Sequence, residues 1–373
     1  MSIPKVLVAP DSFKGSLSAV AVANALRNGL SRCLPQTSIT VQPMADGGEG
    51  TGAILEALGG ERVPAASATI YGAPVQRHWI RWQRMALVEA SVGSQFVSPP
   101  NRQGSSEHTT SVGTGMLIAA ALADPAIDEV MVALGGTGST DGGLGMLMAL
   151  GGQFMDGDGR FVTPFGDNLS RVSQCVLPRM SKPLMGLYDV GVPLLGQRGA
   201  VVQFGLQKGI LPGDIKRVED AMGHYAHCVQ GSAGPDWANV PGAGAAGGMG
   251  FGILAMGGRL QSGAEVVAQW GTLDRHISAA DWIITGEGKI DSQTVEGKVV
   301  GTVVRQAARH GKPVIAVVGS RDEDLTQLHQ MGLTFVLPLV PGPMSLSDAM
   351  KNAEPLIIMV GEELGWLIKR QCP

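Results

Sequence analysis

Short apolar segments alternate with amphipathic helical segments at both ends of the chain. The apolar segments are KVLVAP and SITVQPM near the N-terminus and DWIIT, PVIAVVG and FVLPLV near the C-terminus. The first intervening helical segment, SLSAVAVANALRNGL, has a serine that can cap it and places Val22, Leu26 and Leu30 on one face. Five short apolar strands joined by helices predict an α/β fold with a doubly wound parallel sheet.

The middle of the chain has a mixed pattern. VPAASATIYGAPVQRHWIRWQ and MALVEASV favour antiparallel strands, and EVMVAL favours a strand between two helical segments. A chain of 373 residues is also too long for one compact core. We therefore predict a core domain formed by residues 1–62 and 280–373, with a mixed α+β domain of residues 63–279 inserted into it.

The charge balance argues against a nucleic-acid or membrane-surface role, since either would favour a basic excess. The chain has 28 Lys and Arg residues against 32 Asp and Glu residues, a net charge of −4. No apolar run reaches the roughly 18 residues that span a bilayer, and the N-terminal MSIPKVLVAPD shows no signal-peptide pattern. The four cysteines form no CxxC pair, which indicates reduced thiols. These features predict a cytoplasmic protein with no nucleic-acid or membrane partner.

Three polar, glycine-bearing loops follow the first three predicted strands of the core domain: DSFKGS, ADGGEG and GEGKIDSQ. With strand order 2-1-3-4-5 these loops would be neighbours at the switch point, where open parallel sheets bind ligands beyond the carboxyl ends of their strands. Each loop alone could be an ordinary turn or helix cap, but their coincidence at one edge favours a ligand site. Its candidate residues are Asp11, Ser12, Lys14, Asp46, Glu49, Glu287, Lys289 and Asp291.

Two glycine-rich loops in the predicted inserted domain suit anion binding, because glycine lets backbone N–H groups approach a phosphate closely. GGTGSTDGG follows the strand EVMVAL and precedes a helix, and GAGAAGGMGFG is the second loop. A lysine in FGLQKG and an aspartate in YDVGVPLLG add further candidate contacts. The candidate residues are Gly135, Gly136, Thr137, Thr140, Asp141, Asp189, Lys208 and Gly244. The pattern suits a polyphosphate, with Mg²⁺ held by carboxylates.

Several familiar site motifs are absent or out of context. The sequence has no G-x-x-x-x-G-K-[ST], which excludes a P-loop. Gly242, Gly244 and Gly247 match G-x-G-x-x-G, but the preceding GPDWANVP is not a strand, which disfavours a dinucleotide site and a nicotinamide dehydrogenase. His224 and His227 have no adjacent acid, so a position on a helix face is a simpler interpretation than a metal site.

Four long motifs resemble the bacterial glycerate kinase family. They are VAPDSFKGSLSA, PMADGGEGT, GAGAAGGMGFG and TGEGKIDSQTVEGK, in the family's order, within a resemblance that runs from residue 4 to beyond residue 319. The resemblance implies a flavodoxin-like domain with an inserted second domain, and ATP-dependent phosphorylation of glycerate, commonly at the 2-hydroxyl, with Mg²⁺. GGTGSTDGGLG is similar to the family's GGSATNDGGAG, which implies a substrate- or phosphate-binding loop.

The chain departs from the family pattern mainly in the predicted inserted domain. YDVGVPLLG stands where the family usually has CDVDNPLLG, so Asp189 remains while Gly191 and Val192 replace a second acid and an asparagine. Thr137 and Thr140 stand where a serine and an asparagine are usual. The alternatives are a kinase of another small hydroxy acid, such as a tetronate, and a non-catalytic binding relative.

Phosphoryl transfer depends mainly on positioning and on charge neutralisation. We expect Lys14 or Lys208 to neutralise a phosphate or the substrate carboxylate. Mg²⁺ and the hydroxyl proton would go to carboxylates among Asp46, Glu49, Asp189 and Asp291, and the sequence does not decide which is the base. The expected partners are ATP and a glycerate-like hydroxy acid, and the protein would act as a monomer or homodimer.

Overall fold

The chain forms two compact units in the computed structural model. Unit 1 comprises Met1–Asp46 together with Ala264–Pro373, and unit 2 comprises Gly47–Gly263. The structure describes residues 3–94, 108–231, 234–291, 294–295 and 297–371. Cys372, which the sequence analysis counted among the cysteines, and three residues of the TGEGKIDSQTVEGK motif (292, 293 and 296) lie outside those ranges.

The β-strands in the described residues are numbered in chain order. They are β1 (Lys5–Val8), β2 (Ser38–Val41), β3 (Glu61–Ala68), β4 (Pro74–Trp82), β5 (Met85–Glu89), β6 (Glu129–Ala133), β7 (Gln153–Met155), β8 (Gln174–Val176), β9 (Leu184–Tyr188), β10 (Arg259–Ser262), β11 (Trp282–Ile290), β12 (Val314–Arg321) and β13 (Leu333–Pro338).

The α-helices in the same ranges are also numbered in chain order. They are α1 (Ala19–Cys33), α2 (Thr51–Ala57), α3 (Ala90–Gly93), α4 (Val112–Ala123), α5 (Leu144–Ala149), α6 (Ala200–Phe204), α7 (Ile215–Gln230), α8 (Ala245–Ala255), α9 (Gly263–Trp270), α10 (Leu273–Ala279), α11 (Val299–Arg309), α12 (Thr326–Gln330), α13 (Leu346–Lys351) and α14 (Ala353–Gln371). Short 3₁₀ helices cover Gly166–Arg171, Pro212–Asp214 and Trp237–Asn239.

Unit 1 is built on a five-stranded parallel sheet with the order β13-β12-β11-β1-β2. Numbered by appearance within the unit, this is the order 2-1-3-4-5, which confirms the predicted doubly wound sheet. The central pairing joins the two ends of the chain, since Val6 of β1 lies opposite Trp282 of β11 and Val8 lies opposite Ile284.

The core of unit 1 forms because apolar side chains recur on one face of each element. Val22, Leu26 and Leu30 of α1 are fully buried, as the sequence pattern predicts, and Ser18 caps the helix by accepting a hydrogen bond from the Ala21 amide. Helix α1 packs against α14, and both cover one face of the sheet. Each such side chain stabilises the fold by roughly 1.5–3 kcal/mol through burial.

Unit 2 is built on a six-stranded mixed sheet with the order β10-β9-β6-β5-β4-β3. Strands β5, β6, β9 and β10 are parallel, whereas β3, β4 and β5 form antiparallel neighbours. A two-stranded antiparallel sheet of β7 and β8 completes the unit's β-structure in the described residues. The parallel part therefore gives this unit a second carboxyl edge at which loops can build a site.

The chain passes from one unit to the other earlier than expected at both crossings. The expected domain boundaries were residues 62 and 279, whereas the units change after residues 46 and 263. Helix α2 packs against β4 and β5 of unit 2, and α10 packs against β1 and α11 of unit 1, which accounts for both differences. No helix in the described part of the chain is both long and apolar enough to cross a membrane.

Candidate active-site residues

Three acidic side chains come together in unit 1 at the carboxyl edge of its sheet. Asp11 follows β1, Asp46 follows β2 and Glu287 lies in β11. The loops continue the alignment of the strands, because the Asp11 amide donates to the Gly286 carbonyl at 2.8 Å. Burial raises the pKa of Asp11 well above its usual value, and repulsion from Asp46 and Glu287 raises it further. The first, second and third core strands thus deliver mutually repelling carboxyl groups to the predicted switch point.

Thr294 and Lys298 both interact with the buried carboxyl group of Glu287. Its side chain is buried, and its Oε1 accepts a hydrogen bond of 2.8 Å from the Thr294 hydroxyl. Burial raises the pKa of Glu287 to about 7, although the positive charge of Lys298 and the Thr294 hydrogen bond act in the opposite direction. Thr294 and Lys298 were not among the predicted site residues, although both belong to the TGEGKIDSQTVEGK motif.

Lys289 and Asp291 belong to a surface ion-pair network. Lys289 Nζ lies 3.0 Å from Asp322 and 3.7 Å from Asp291, and its side chain is 56% exposed. Lys298 Nζ lies 3.7 Å from the other oxygen of Asp291. Asp291 is therefore flanked by two lysines, and the positive charge beside it weakens its case as a metal ligand. The expected roles of Lys289 in ligand binding and of Asp291 in Mg²⁺ binding stay predictions.

Lys14 occupies an exposed turn beside this edge. The turn is closed by hydrogen bonds between the backbones of Phe13 and Leu17, and Gly15 allows it by adopting a φ of 76°. The Lys14 amide lies close to Gly288 of β11, where a methyl group would meet it at 3.5 Å. Ser12 donates its amide to Asp11 Oδ1 at 2.6 Å, so this residue positions the carboxylate. The Lys14 side chain is exposed, and its role in binding an anion stays a prediction.

Unit 2 brings a second group of polar residues to the carboxyl ends of β5, β6 and β9. Glu89 ends β5, the loop beginning at Gly135 follows β6, and Asp189 follows β9. A methyl group at Gly135 would lie 2.9 Å from Asp189 Oδ2 and 2.4 Å from the Cα of Gly48. The Asp189 carboxylate therefore lies directly against the backbone of the glycine-rich loop, which explains why a side chain is excluded at Gly135.

Asp141 is the internal anchor of that loop. Its Oδ2 accepts hydrogen bonds from the Ser111 amide and hydroxyl, both at 2.7 Å, and from the Gly145 amide at 3.1 Å. Its Oδ1 accepts from the Gly143 amide at 3.2 Å. The side chain is fully buried, and this burial raises the pKa of Asp141. Four internal donors occupy the carboxylate, so the structure gives Asp141 the role of organising the loop. Ser111, which the sequence analysis did not select, is its main partner.

Lys208 supplies the positive charge of this group. Its Nζ donates to the Ser139 carbonyl at 2.8 Å and lies 3.5 Å from the Thr137 hydroxyl. Burial lowers the pKa of Lys208 to about 8, although the negative charges of Asp141 and Asp189 favour the protonated form. The Ser139 hydroxyl is buried and has no hydrogen-bond partner among the described residues. The Lys208 ammonium, from the FGLQKG segment, therefore lies against the first glycine-rich loop, which also holds the unpaired Ser139 hydroxyl.

The two glycine-rich loops of unit 2 pack against each other, backbone to backbone. The Gly142 amide donates to the Gly247 carbonyl at 3.0 Å, and a methyl group at Gly247 would lie 2.1 Å from the Ser139 carbonyl oxygen. The second loop reaches this position through three consecutive left-handed residues, Ala246 to Gly248. Close approach of two backbones thus accounts for several of the glycines, and a phosphate contact at these loops stays a prediction.

Gly244 of the second loop packs tightly against the backbone of Val192 and Pro193. Its amide donates to the Val192 carbonyl at 3.0 Å, and a methyl group there would lie 2.2 Å from the Pro193 carbonyl oxygen. The amide is therefore already paired, which leaves the prediction of a phosphate contact without support. Val192, which belongs to the segment that departs from the family pattern, contacts this loop through its carbonyl oxygen. A 3₁₀ helix at Trp237–Asn239, and no strand, precedes the loop, as the sequence analysis expected.

Glu49 and Glu89 flank the start of α2. Glu89 Oε1 accepts a hydrogen bond of 3.0 Å from the Gly50 amide, and burial raises the pKa of Glu89. Glu49 is exposed and packs its Cβ near Gly136, where a methyl group would lie 3.6 Å from it. Glu89 was not predicted as a site residue. Its position as an acid at the end of a predicted strand is the sequence feature that could have identified it.

A metal site is not preformed in the described ranges. No group of three or more His, Cys, Asp or Glu side chains there is arranged to hold a metal ion. Mg²⁺ in phosphoryl-transfer enzymes is usually held by one or two carboxylates together with substrate phosphates and water. The carboxylate oxygens of Asp11 and Asp46 have this chemistry, and their mutual repulsion is what a bound cation would relieve.

Comparisons with known proteins agree over nearly the whole chain. A model of the glycerate kinase family matches residues 6–369. A glycerate kinase of Halalkalibacterium halodurans is 34% identical over 361 residues, which is 94% of this chain and 95% of that protein. A glycerate 2-kinase of Escherichia coli K12 is 36% identical over 358 residues, 94% of each protein.

A crystal structure supports the same relationship. It shows a protein of Salmonella typhimurium LT2 that is provisionally described as glycerate kinase 2, with a TM-score of 0.83, 34% identity and 99% coverage of each chain. The fold and these matches define a two-domain α/β phosphotransferase that uses an alcohol group as acceptor. The chain belongs to the glycerate kinase family. This membership confirms the resemblance carried by the four sequence motifs.

Proposed function

We propose that this protein transfers the γ-phosphoryl group of ATP to the 2-hydroxyl of glycerate and forms 2-phosphoglycerate. The observation that carries the proposal is the convergence of Asp11, Asp46 and Glu287 at the switch point of the unit 1 sheet, in a chain of this family. Acceptor oxygen and phosphorus form the new bond, the bond from phosphorus to the bridging oxygen of ADP breaks, and the hydroxyl proton passes to a carboxylate.

The acceptor is assigned to unit 2. Lys208 would bind the glycerate carboxylate, because its ammonium lies among hydroxyl-bearing loop residues and is flanked by acids that favour its charged form. Asp189 would orient the acceptor hydroxyl and accept its proton, since it follows β9 and its oxygen lies against Gly135. The Ser139 hydroxyl would supply a further hydrogen bond. We assign these roles from the positions of the three side chains around the first glycine-rich loop of unit 2.

The nucleotide is assigned to unit 1. Asp46, with Asp11 beside it, would hold Mg²⁺ that arrives with ATP, and the exposed Lys14 would bind a phosphate oxygen. Mg²⁺ would supply neutralisation of the phosphate charge. Glu287, Thr294 and Lys298 maintain the shape and charge of this edge.

The test is a product assay that distinguishes the hydroxyl groups. The purified chain is incubated with ATP, Mg²⁺ and glycerate, and the product is offered to enolase with and without phosphoglycerate mutase. Direct conversion by enolase alone is expected. A requirement for the mutase would show phosphorylation at the 3-hydroxyl, and turnover of a tetronate without turnover of glycerate would contradict the acceptor assignment.

The substitutions at Gly191 and Val192 are the reason to include a tetronate in the same assay. Loss of an acid and an amide next to Asp189 removes two polar groups that could contact an acceptor. We expect glycerate to remain the better substrate, because Asp189 and Lys208 are both retained. The expectations of a monomer or homodimer and of a cytoplasmic protein are part of the same proposal, and light scattering of the purified chain tests the first of them.

A further inference from the structure

A cavity of about 270 Å³ lies in unit 1 between helices α9 and α11. Its lining is polar and contains two arginines. The lining residues are Glu265, Gln269, Thr302, Arg305, Gln306 and Arg309. Drug-sized ligands occupy pockets of roughly 300 Å³ or more, so this volume suits a smaller metabolite.

The arginines make the cavity attractive to an anion. Arg305 and Arg309 are four residues apart on α11, so they lie on the same face of the helix. Within the described ranges neither forms an ion pair, and Arg305 uses its two terminal nitrogens on the Val295 carbonyl (3.0 Å) and the Thr302 hydroxyl (3.1 Å). Glu265 is the one acidic residue of the lining, so the cavity carries a net positive charge.

Gln306 adds a requirement for a hydrogen-bond donor. Its Oε1 is buried and has no partner among the residues that the structure describes. A buried acceptor without a partner is unfavourable, and a ligand hydroxyl that donates to it would relieve this penalty. The guanidinium groups, in contrast, favour the several oxygens of a phosphate or carboxylate.

We propose that this cavity binds a small phosphorylated hydroxy acid at a site separate from the residues assigned to catalysis. The phosphate would lie between Arg305 and Arg309, and a hydroxyl of the ligand would donate to Gln306 Oε1. Arg305 also holds the Val295 carbonyl, one residue from the Thr294 hydroxyl that binds Glu287. The ligand would therefore contact the arginine that fixes the segment beside the acidic cluster.

The experiment is an equilibrium titration of the full chain with 2-phosphoglycerate, with Arg309→Gln as the test variant. Arg309 is exposed on α11 and is not among the residues assigned to catalysis. Arg275→Gln is the matched control, since Arg275 is an exposed arginine on α10 of the same unit. We expect the wild type and Arg275→Gln to bind two equivalents. Arg309→Gln should lose one of them, or bind it on the order of tenfold more weakly, with kcat and KM unchanged.

The outcomes separate this proposal from the catalytic one. If glycerate phosphorylation is wrong, the wild type would bind one equivalent and Arg309→Gln none, which still supports the cavity site. If Arg309→Gln binds as many equivalents as the wild type with the same affinity, the cavity proposal is overturned. Equal losses in both variants would indicate a general charge effect and would also overturn it.

Discussion

The ammonium of Lys208 donates a hydrogen bond of 2.8 Å to the carbonyl oxygen of Ser139. This contact ties the FGLQKG segment to the first glycine-rich loop, so the cation and the loop form one structural group. Because the acceptor is a backbone carbonyl, the contact depends on loop geometry and would survive exchange of the Ser139 side chain. Lys208 therefore stabilises the loop through this hydrogen bond, in addition to the ligand-binding role that we propose for its positive charge.

The pH dependence of glycerate binding should reveal Lys208. Burial lowers its pKa to about 8, so the ammonium loses its proton as the pH rises through that value, whereas an ordinary lysine remains charged to about 10.4. We expect kcat/KM for glycerate to fall about tenfold per pH unit above pH 8. Lys208→Arg should lower activity but remove this fall, because arginine keeps its charge. A wild-type profile that stays flat from pH 7 to 10 would contradict the assignment.

Exchange of Asp46 and of Asp189 for asparagine should each depress turnover while the fold is retained. Asn keeps the size of the side chain and removes the charge that we assign to cation binding at Asp46 and to proton acceptance at Asp189. A loss on the order of 10²–10⁴-fold in kcat is expected for each variant. The control is Asp158→Asn, an exposed surface acid whose only described ion pair is with Arg160.

The comparison between these variants has a further use. If Asp189→Asn stays near wild type while Asp46→Asn is inactive, the YDVGVP segment no longer takes part in the reaction, and the acceptor is not glycerate. Near-wild-type turnover of Asp46→Asn would instead remove the acidic edge of unit 1 from the mechanism. Circular dichroism of each variant checks that the fold is intact.

Lys14→Met should weaken nucleotide binding more than it slows the chemical step. The exposed ammonium is a flexible point charge, so its main effect is to neutralise a phosphate. We expect KM for ATP to rise about tenfold, which corresponds to about 1.4 kcal/mol, with a smaller change in kcat. Lys216→Met is a suitable control, since that side chain is 85% exposed on α7 and pairs with Asp220. An unchanged KM for ATP would show that Lys14 does not contact the nucleotide.

Gly247→Ala should destabilise unit 2 strongly. The position has a φ of 68°, and a methyl group there would lie 2.1 Å from the Ser139 carbonyl oxygen. The left-handed backbone costs roughly 1–2 kcal/mol for alanine, and overpacking adds about 1–3 kcal/mol. Gly157→Ala is the control, because no atom lies within 4 Å of the added methyl group. Denaturant unfolding measures both, and equal stability of the two variants would contradict close packing of the loops.

Asp141→Asn should destabilise the first glycine-rich loop. The substitution turns an acceptor of four hydrogen bonds into a group whose amide nitrogen faces the Ser111 and Gly145 donors. A loss of roughly 1.5–3 kcal/mol in the free energy of unfolding is expected. Activity should fall through loss of loop order, so KM for glycerate should rise together with the drop in stability. A stable but inactive Asp141→Asn would indicate direct contact with a ligand.

The doubly wound sheet was predictable because its strands are short, apolar and separated by clear helical patterns. Val22, Leu26 and Leu30 marked the buried face of α1, and β1 pairs with β11 as the strand order required. Strands β9 and β10 were not predicted. LMGLY and RLQS are too short for a periodic signal and gain their strand structure by pairing with β6 and with each other.

The acidic edge of unit 1 was predictable from strand order, since carboxyl ends of parallel strands meet at one edge. The roles within unit 2 were less accessible. Nothing in the spacing of GGTGSTDGG shows that Asp141 is enclosed by Ser111 from thirty residues earlier in the chain. The pairing of the Gly244 amide with Val192 likewise depends on a contact between distant segments. The glycine content indicated that another group approaches the loop backbone closely, but it did not show whether that group is a ligand or another segment of the chain.

The pairing of β1 with β11 has a consequence for the order in which the chain is made. Lys5–Val8 is synthesised before Gly47–Gly263, whereas its partner strand at Trp282–Ile290 is synthesised only after all of that segment. Domains generally fold as units during synthesis. Unit 2 is continuous in sequence and can complete its sheet while the chain is still growing. The sheet of unit 1 can therefore close around β1 only after the whole of unit 2 has been synthesised.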